Sequence, residues 1–177
     1  DSGPGADLSR DRHGRGGSHA GRGARQLDIP GKEGGYGSYV TPVTPGSGGF
    51  ESSSYRSNED SSSYSRGGSA INLTVSNTFE ISGVIDVSGG DGKRNGGNYG
   101  GSGGAGGSLL INLKEPMSGT GIIKAVGGNG GWHNAGGGGG GRVAIHCPKS
   151  NKKSTFTGDI KVHGGVTPWS TWHFFKT

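Results

Sequence analysis

Between residues 67 and 165 short apolar runs alternate with polar residues and recur at a fixed distance. Three segments align: "GGSAINLTV" followed by "SGVIDVSGGDG", "GGSLLINL" followed by "TGIIKAVGGNG", and "GGRVAIHC" followed by "TGDIKVHGG". Gly89, Gly127 and Gly164 mark the same point in each, 38 and 37 residues apart. Within "GVIDV", "GIIKA" and "GDIKV" every second residue is apolar, so Ile85, Ile123 and Ile160 share one face with Val87, Ala125 and Val162. Alternation of period two in β-branched residues predicts half-buried strands. No stretch sustains a 3.6-residue period, so essentially no helix is expected.

Equivalent strands at a fixed period predict a solenoid in which each coil stacks on the last. The expected fold is all-β: a glycine-rich, right-handed parallel β-helix, its hand following from the rule for parallel connections. Ile85, Ile123 and Ile160 then form one buried ladder, and Val87, Ala125 and Val162 another. Glycine lets the return segments turn tightly and approach other backbone closely. A flexible linker would also be glycine-rich, but its glycines would have no reason to keep register with strands.

The chain of 177 residues suits one domain. Residues 1–50 read as basic and Gly/Pro-rich N-terminal coils, 51–66 as an exposed Ser/Tyr-rich loop, and 67–165 as the three repeats. Residues 166–177, with Trp169, Trp172, Phe174 and Phe175 close together, read as an aromatic cap over the open end.

Composition sharpens this picture. Glycine supplies 43 residues and hydrophobic residues only 27% of the chain, too few for a conventional globular core. No run of about 20 apolar residues offers a transmembrane helix. The chain begins at Asp1 rather than Met, which reads as a processed product. The net charge of +5 favours acidic partners such as nucleic acid, sulfated glycans or anionic mineral. Asn72-Leu73-Thr74 is a glycosylation sequon, relevant only to a secreted chain.

The segments "HGRGGSHAGRGA", "YGSYVTPVTPGSGG", "GGSAINLTVSNTFEISGVIDVSGGDG" and "GGSGGAGGSLLINL" resemble, in order as well as content, the glycine-rich repeat regions of large secreted or cell-surface proteins. That resemblance covers roughly residues 13 to 50 and 67 to 147 and implies a parallel β-helix and an extracellular location. A basic chain rich in Gly, Ser, Tyr and His is also similar to the axial-filament proteins of glass-sponge silica spicules, which implies occlusion in a mineralised matrix.

Candidate chemistry is sparse. "GSGGAG" at 101–106 satisfies G-x-G-x-x-G, but it precedes a strand rather than opening a helix, so no nucleotide site is expected. The histidines lack metal-ligand spacing and no second cysteine exists to complete a zinc site. His146 and Cys147 are adjacent, so in a strand they face opposite ways and make a poor nucleophile-base pair. Cys147 aligns with Leu73 and Leu113, a core position; at the surface it would be available for an intermolecular disulfide. Asp86 has Lys124 and Lys161 as its counterparts, and Asp91 and Asp159 lie in turns, so no acid/base pair is nominated.

No enzyme and no cofactor are therefore expected. Arg10, Arg12, Arg15, Arg22 and Arg25, with His13 and His19, are the candidate anion- or silica-binding residues. The expected function is a structural extracellular scaffold that self-assembles into filaments or lattices, a template for silica. Acidic glycans or matrix proteins are the alternative partners. An RGG-type RNA-binding arm is a third reading, weakened because aromatic residues do not interleave the arginines.

Overall fold

The structure is a computed structural model that describes residues 4–5, 15–24, 34–49, 65–94, 100–132, 135–147 and 153–168. Nine short strands run through the repeats: β1 (Ala70–Val75), β2 (Phe79–Glu80), β3 (Val84–Asp86), β4 (Ser108–Leu113), β5 (Met117–Gly119), β6 (Ile122–Lys124), β7 (Arg142–His146), β8 (Thr155–Phe156) and β9 (Asp159–Lys161). No α-helix occurs among the described residues. The chain is all-β, and every strand pairing is parallel.

Each repeat contributes one strand to each of three sheets, ordered β1-β4-β7, β2-β5-β8 and β3-β6-β9. The register stacks Ile85 on Ile123 on Ile160, as the alternation predicts. On the first sheet Ile71, Leu109 and Val143 stack, as do Leu73, Ile111 and Ile145. Leu73 thus pairs with Ile111, not with Leu113, whose partner is Val75. The expected alignment of Cys147 with Leu73 was off by two residues. A slip of two keeps a side chain on its face, and Cys147 does pack against the core.

The middle repeat is the best buried. Leu109, Ile111, Ile123 and Ala125 have no exposed surface. Burying each of the larger three contributes about 1.5–3 kcal/mol. The ladder weakens toward the last repeat, where Ile160 is 45% and Val162 43% exposed. These two were expected in the core; as the last rung, they have neighbours below but no described strand above. On the opposite face Asp86 meets Lys124 at 3.8 Å, one rung apart. That pair is largely solvated and adds little.

The glycine-rich returns are not simply tight turns. Residues 103–107 run as an extended segment whose hydrogen bonds change direction with a period of three. Gly103 and Gly106 donate to the carbonyls of Gly136 and Gly139, while Gly104 and Gly107 donate to those of Gly90 and Val87. Ala105 donates to Ser47. Carbonyls of the same segment accept from Gly17, Gly128 and Gly68. Other returns obey the same rule: Gly89 and Gly92 donate to Val126 and Asn129, and Gly127 and Gly130 donate to His163 and Val166. Three residues per turn with no internal hydrogen bond is the geometry of the polyproline II helix. Its backbone groups point outward in three directions, so each needs a neighbouring backbone at contact distance.

Glycine makes that distance possible. A Cβ at Gly103 would overlap the Gly128 carbonyl, and one at Gly138 would overlap the Gly104 carbonyl. Residues 15–24 and 34–49 enter the same bundle, through Gly139 to Gly17, Ala24 to Gly137 and Gly46 to Gly68. Ser65 was expected on the exposed loop, but it is buried, and its Oγ donates to the Ser102 carbonyl. Arg66 is exposed as expected, while 51–64 of that loop and the aromatic cluster Trp169, Trp172, Phe174 and Phe175 lie outside the described residues.

Gly138→Ala should destabilise the chain by about 3 kcal/mol or more, because rigid backbone must move to admit the methyl group. Gly83→Ala, where nothing lies within 4 Å, should stay within roughly 0.5 kcal/mol of the parent. Urea titration of the two variants checks this. Ile123→Asp should abolish cooperative melting, since it places an unpaired carboxylate in a fully buried position.

Candidate functional site

Among the described residues the glycine bundle holds a cluster of chemically capable side chains around His19. The imidazole has no exposed surface. Its Nδ1 lies 2.7 Å from the Gly106 carbonyl, which can only accept, so Nδ1 carries the proton. Nε2 is then the acceptor and takes the Thr44 hydroxyl at 3.2 Å. Within the bundle this imidazole occupies the place where a backbone N–H would otherwise serve the Gly106 carbonyl. The Tyr36 ring tilts against it, centroids 5.0 Å apart. Tyr36 Oη donates to the Pro45 carbonyl at 2.7 Å and lies 2.8 Å from Ser47 Oγ. Ser47 Oγ accepts from the Gly5 amide, and Arg142 Nη1 donates to the Tyr36 carbonyl.

Ser108 Oγ lies 3.4 Å from His19 Nε2, so a serine and a histidine do meet. The serine proton, however, goes to the Thr44 carbonyl at 2.6 Å. Both side chains have no exposed surface. A nucleophile needs its proton directed at the base and a path to substrate; this pair has neither. The cluster instead ties residues 15–24 and 34–49 to the start of β4 and β7.

Burial lowers the His19 pKa from its ordinary value, opposed by the Gly106 hydrogen bond and reinforced by the Arg142 charge. Burial likewise raises the Tyr36 pKa, against the Ser47 hydrogen bond and the Arg142 charge. Asp86 is lowered first by the Ser88 side-chain hydrogen bond, with Lys124 a smaller cause.

The expected anion-binding set divides. Arg10, Arg12, Arg25 and His13 lie outside the described residues. Arg22 is exposed. Arg15 is only 7% exposed and His19 is fully buried, so neither presents to a surface anion. The backbone on both sides of His19, and of Gly16 after Arg15, is committed to the bundle, which draws these side chains inward. Exposed cations elsewhere are Arg66, Lys93, Lys114, Lys153 and Lys161. Arg94 lies over the Trp132 ring at 3.8 Å.

"GSGGAG" is wholly buried as the central bundle segment, which leaves no space for a phosphate. Asn72 is exposed on the outer face of β1, beside Asn112. Cys147 is a half-buried free thiol. Among the described residues no group of three or more His, Cys, Asp or Glu side chains could hold a metal ion, and no helix is long and apolar enough to cross a membrane.

The remaining feature is the pair of open sheet ends. Among the described residues β1, β2 and β3 have neighbours on one side only, and so do β7, β8 and β9. Val84, 57% exposed, stands at the first end, and Ile160 and Val162 at the second. An apolar cavity of about 340 Å³ opens between Leu113, Met117, Ile145, Cys147, Phe156 and Ile160. Comparison with known proteins finds no matching family profile, no matching curated sequence and no matching solved structure.

Stability should fall in acid through His19. Its folded pKa lies below the unfolded value of about 6.5, so below pH 6.5 the unfolded chain binds a proton that the folded chain resists. The contribution is complete above 6.5 and is lost as pH falls through the folded pKa. Melting from pH 8 to pH 5 should show the midpoint drop in the parent. In His19→Gln the drop should be smaller, from a lower starting point.

Proposed function

We propose that this chain is a structural, non-catalytic scaffold, secreted, that assembles end to end into filaments or lattices. In this account the three sheets wind as a right-handed parallel β-helix, the hand that parallel connections almost always take. The observation that carries the proposal is the exposure of the core ladders at the last rung, Ile160 and Val162, together with the partly exposed core residues Ile71, Leu73, Val75 and Ile85 of the first. Among the described residues the edge strands are unpaired on one side, and an unpaired parallel edge beside exposed apolar rungs favours addition of another chain. A contact between unlike ends does not close on itself and grows a filament.

The narrower proposal is a template for silica. Cationic side chains attract silicate anions, and Arg22 with the further arginines at 10, 12 and 25 supplies them in the N-terminal segment. Arg15 and His19 drop out of this role because they are buried.

Purified chain at neutral pH should form filaments or ordered arrays in negative-stain electron microscopy. Dispersed monomers at every concentration, with salt-sensitive binding to heparin, would replace the scaffold with a module for acidic glycans. In a silicic-acid condensation assay, changing Arg10, Arg12, Arg22 and Arg25 together to Gln should cut precipitation several-fold. Equal precipitation would remove those arginines from the role.

A further inference from the structure

We infer that the partner of each open end is the opposite end of a second copy, docked in the register that the three repeats already use. This inference rests on the scaffold proposal and specifies its contact. Within the chain, passing from one rung to the next places Asp86 beside Lys124 and Ile85 beside Ile123. The same step places Ile123 beside Ile160 and Lys124 beside Lys161. One further step, onto a second copy, sets that copy's Ile85 on Ile160 and its Asp86 on Lys161. The new ion pair repeats the one at 3.8 Å between Lys124 and Asp86. The first end therefore offers a carboxylate where the last offers an ammonium. Two like ends would have to pair antiparallel, outside the parallel register that the strand pairings share.

The other sheets extend in the same way. β1 of the second copy lies along β7, with Ile71 on Val143 and Leu73 on Ile145. The β4–β7 register ends at Asn112 on His146; continued by one residue it sets Cys147 on Leu113, whose partner is Val75. The second copy's Val75 therefore comes to lie on Cys147. Phe79, which pairs with Met117 within the chain, arrives over Ser154 at the mouth of the apolar cavity. Its half-exposed ring fills that cavity, so apolar rungs at both ends become interior ones.

This arrangement gives Cys147 a defined fate. Successive copies of Cys147 stand three rungs apart, about 14 Å at roughly 4.8 Å per rung. A disulfide needs Cα atoms within about 7 Å, so native chains in the filament cannot cross-link to one another.

The test is disulfide trapping with oxidised glutathione under assembly conditions, read on a non-reducing gel beside electron micrographs. Val75→Cys should give a ladder of dimer, trimer and higher species through the native thiol. Thr74→Cys, with its thiol on the outer face, and the parent chain should stay monomeric on the gel. A Cys147-to-Cys147 dimer in the parent would overturn the arrangement in favour of like ends meeting. Filaments without a Val75→Cys ladder would overturn the register while leaving the scaffold proposal standing. Absence of any assembly by parent and variants would overturn both. Lys161→Glu removes an exposed pair with Asp159 at 3.9 Å and should lower melting only slightly while raising the critical concentration for assembly several-fold. An unchanged critical concentration would contradict the Lys161 to Asp86 contact.

Discussion

The structure depends on backbone meeting backbone at a distance only glycine permits. Residues 103–107 exchange hydrogen bonds with six other segments, around 17, 47, 68, 87–90, 128 and 136–139. A segment of this kind makes no internal hydrogen bond, so its polar groups are satisfied only if every side is occupied by another backbone. A single Cβ pointing at a neighbour would push two segments apart and strand several donors at once. That is why glycine clusters where the returns cross, and why the two tracts at 103–107 and 136–141 are so nearly free of side chains. The entropy lost by ordering glycine is high, and dense hydrogen bonding together with the adjacent apolar ladders offsets it.

The two halves of the architecture support each other. The sheets hold the repeats in register through Leu109, Ile111 and Ile123. The returns leave each sheet at a fixed level and so arrive at the bundle already aligned. His19, Tyr36, Ser47 and Ser108 close the joint between them. Each hydrogen-bonds a backbone group: His19 the Gly106 carbonyl, Tyr36 that of Pro45, Ser108 that of Thr44, and Ser47 the Gly5 amide. A buried histidine and serine in contact here are a fastening rather than a reaction centre, because the serine proton is already bonded to Thr44.

The strand half was legible in the sequence. Alternation in "GVIDV", "GIIKA" and "GDIKV" determines both the face and the register, since period two leaves little choice once one face is apolar. The glycine half was not. A side-chain pattern cannot reveal a helix whose residues have no side chains; only the spacing of the strands showed that the glycines were ordered. Two of the site readings, Arg15 and His19, missed burial for a related reason. Both sit in a basic tract of small residues, where nothing local distinguishes a side chain turned inward from one turned outward. The fastening itself joins residues as much as 106 apart, and "YGSYVTPVTP" carries only the marks of turns.

Amide hydrogen exchange tests the central claim most directly. Ordered, mutually bonded glycine segments predict that the amides of Gly103, Gly104, Gly106, Gly138 and Gly139 exchange as slowly as those of Leu109 and Ile111, opening only with global unfolding. Exchange of these glycine amides at the rate of an unstructured chain, with the strand amides still protected, would contradict it and return the glycine tracts to the status of linkers.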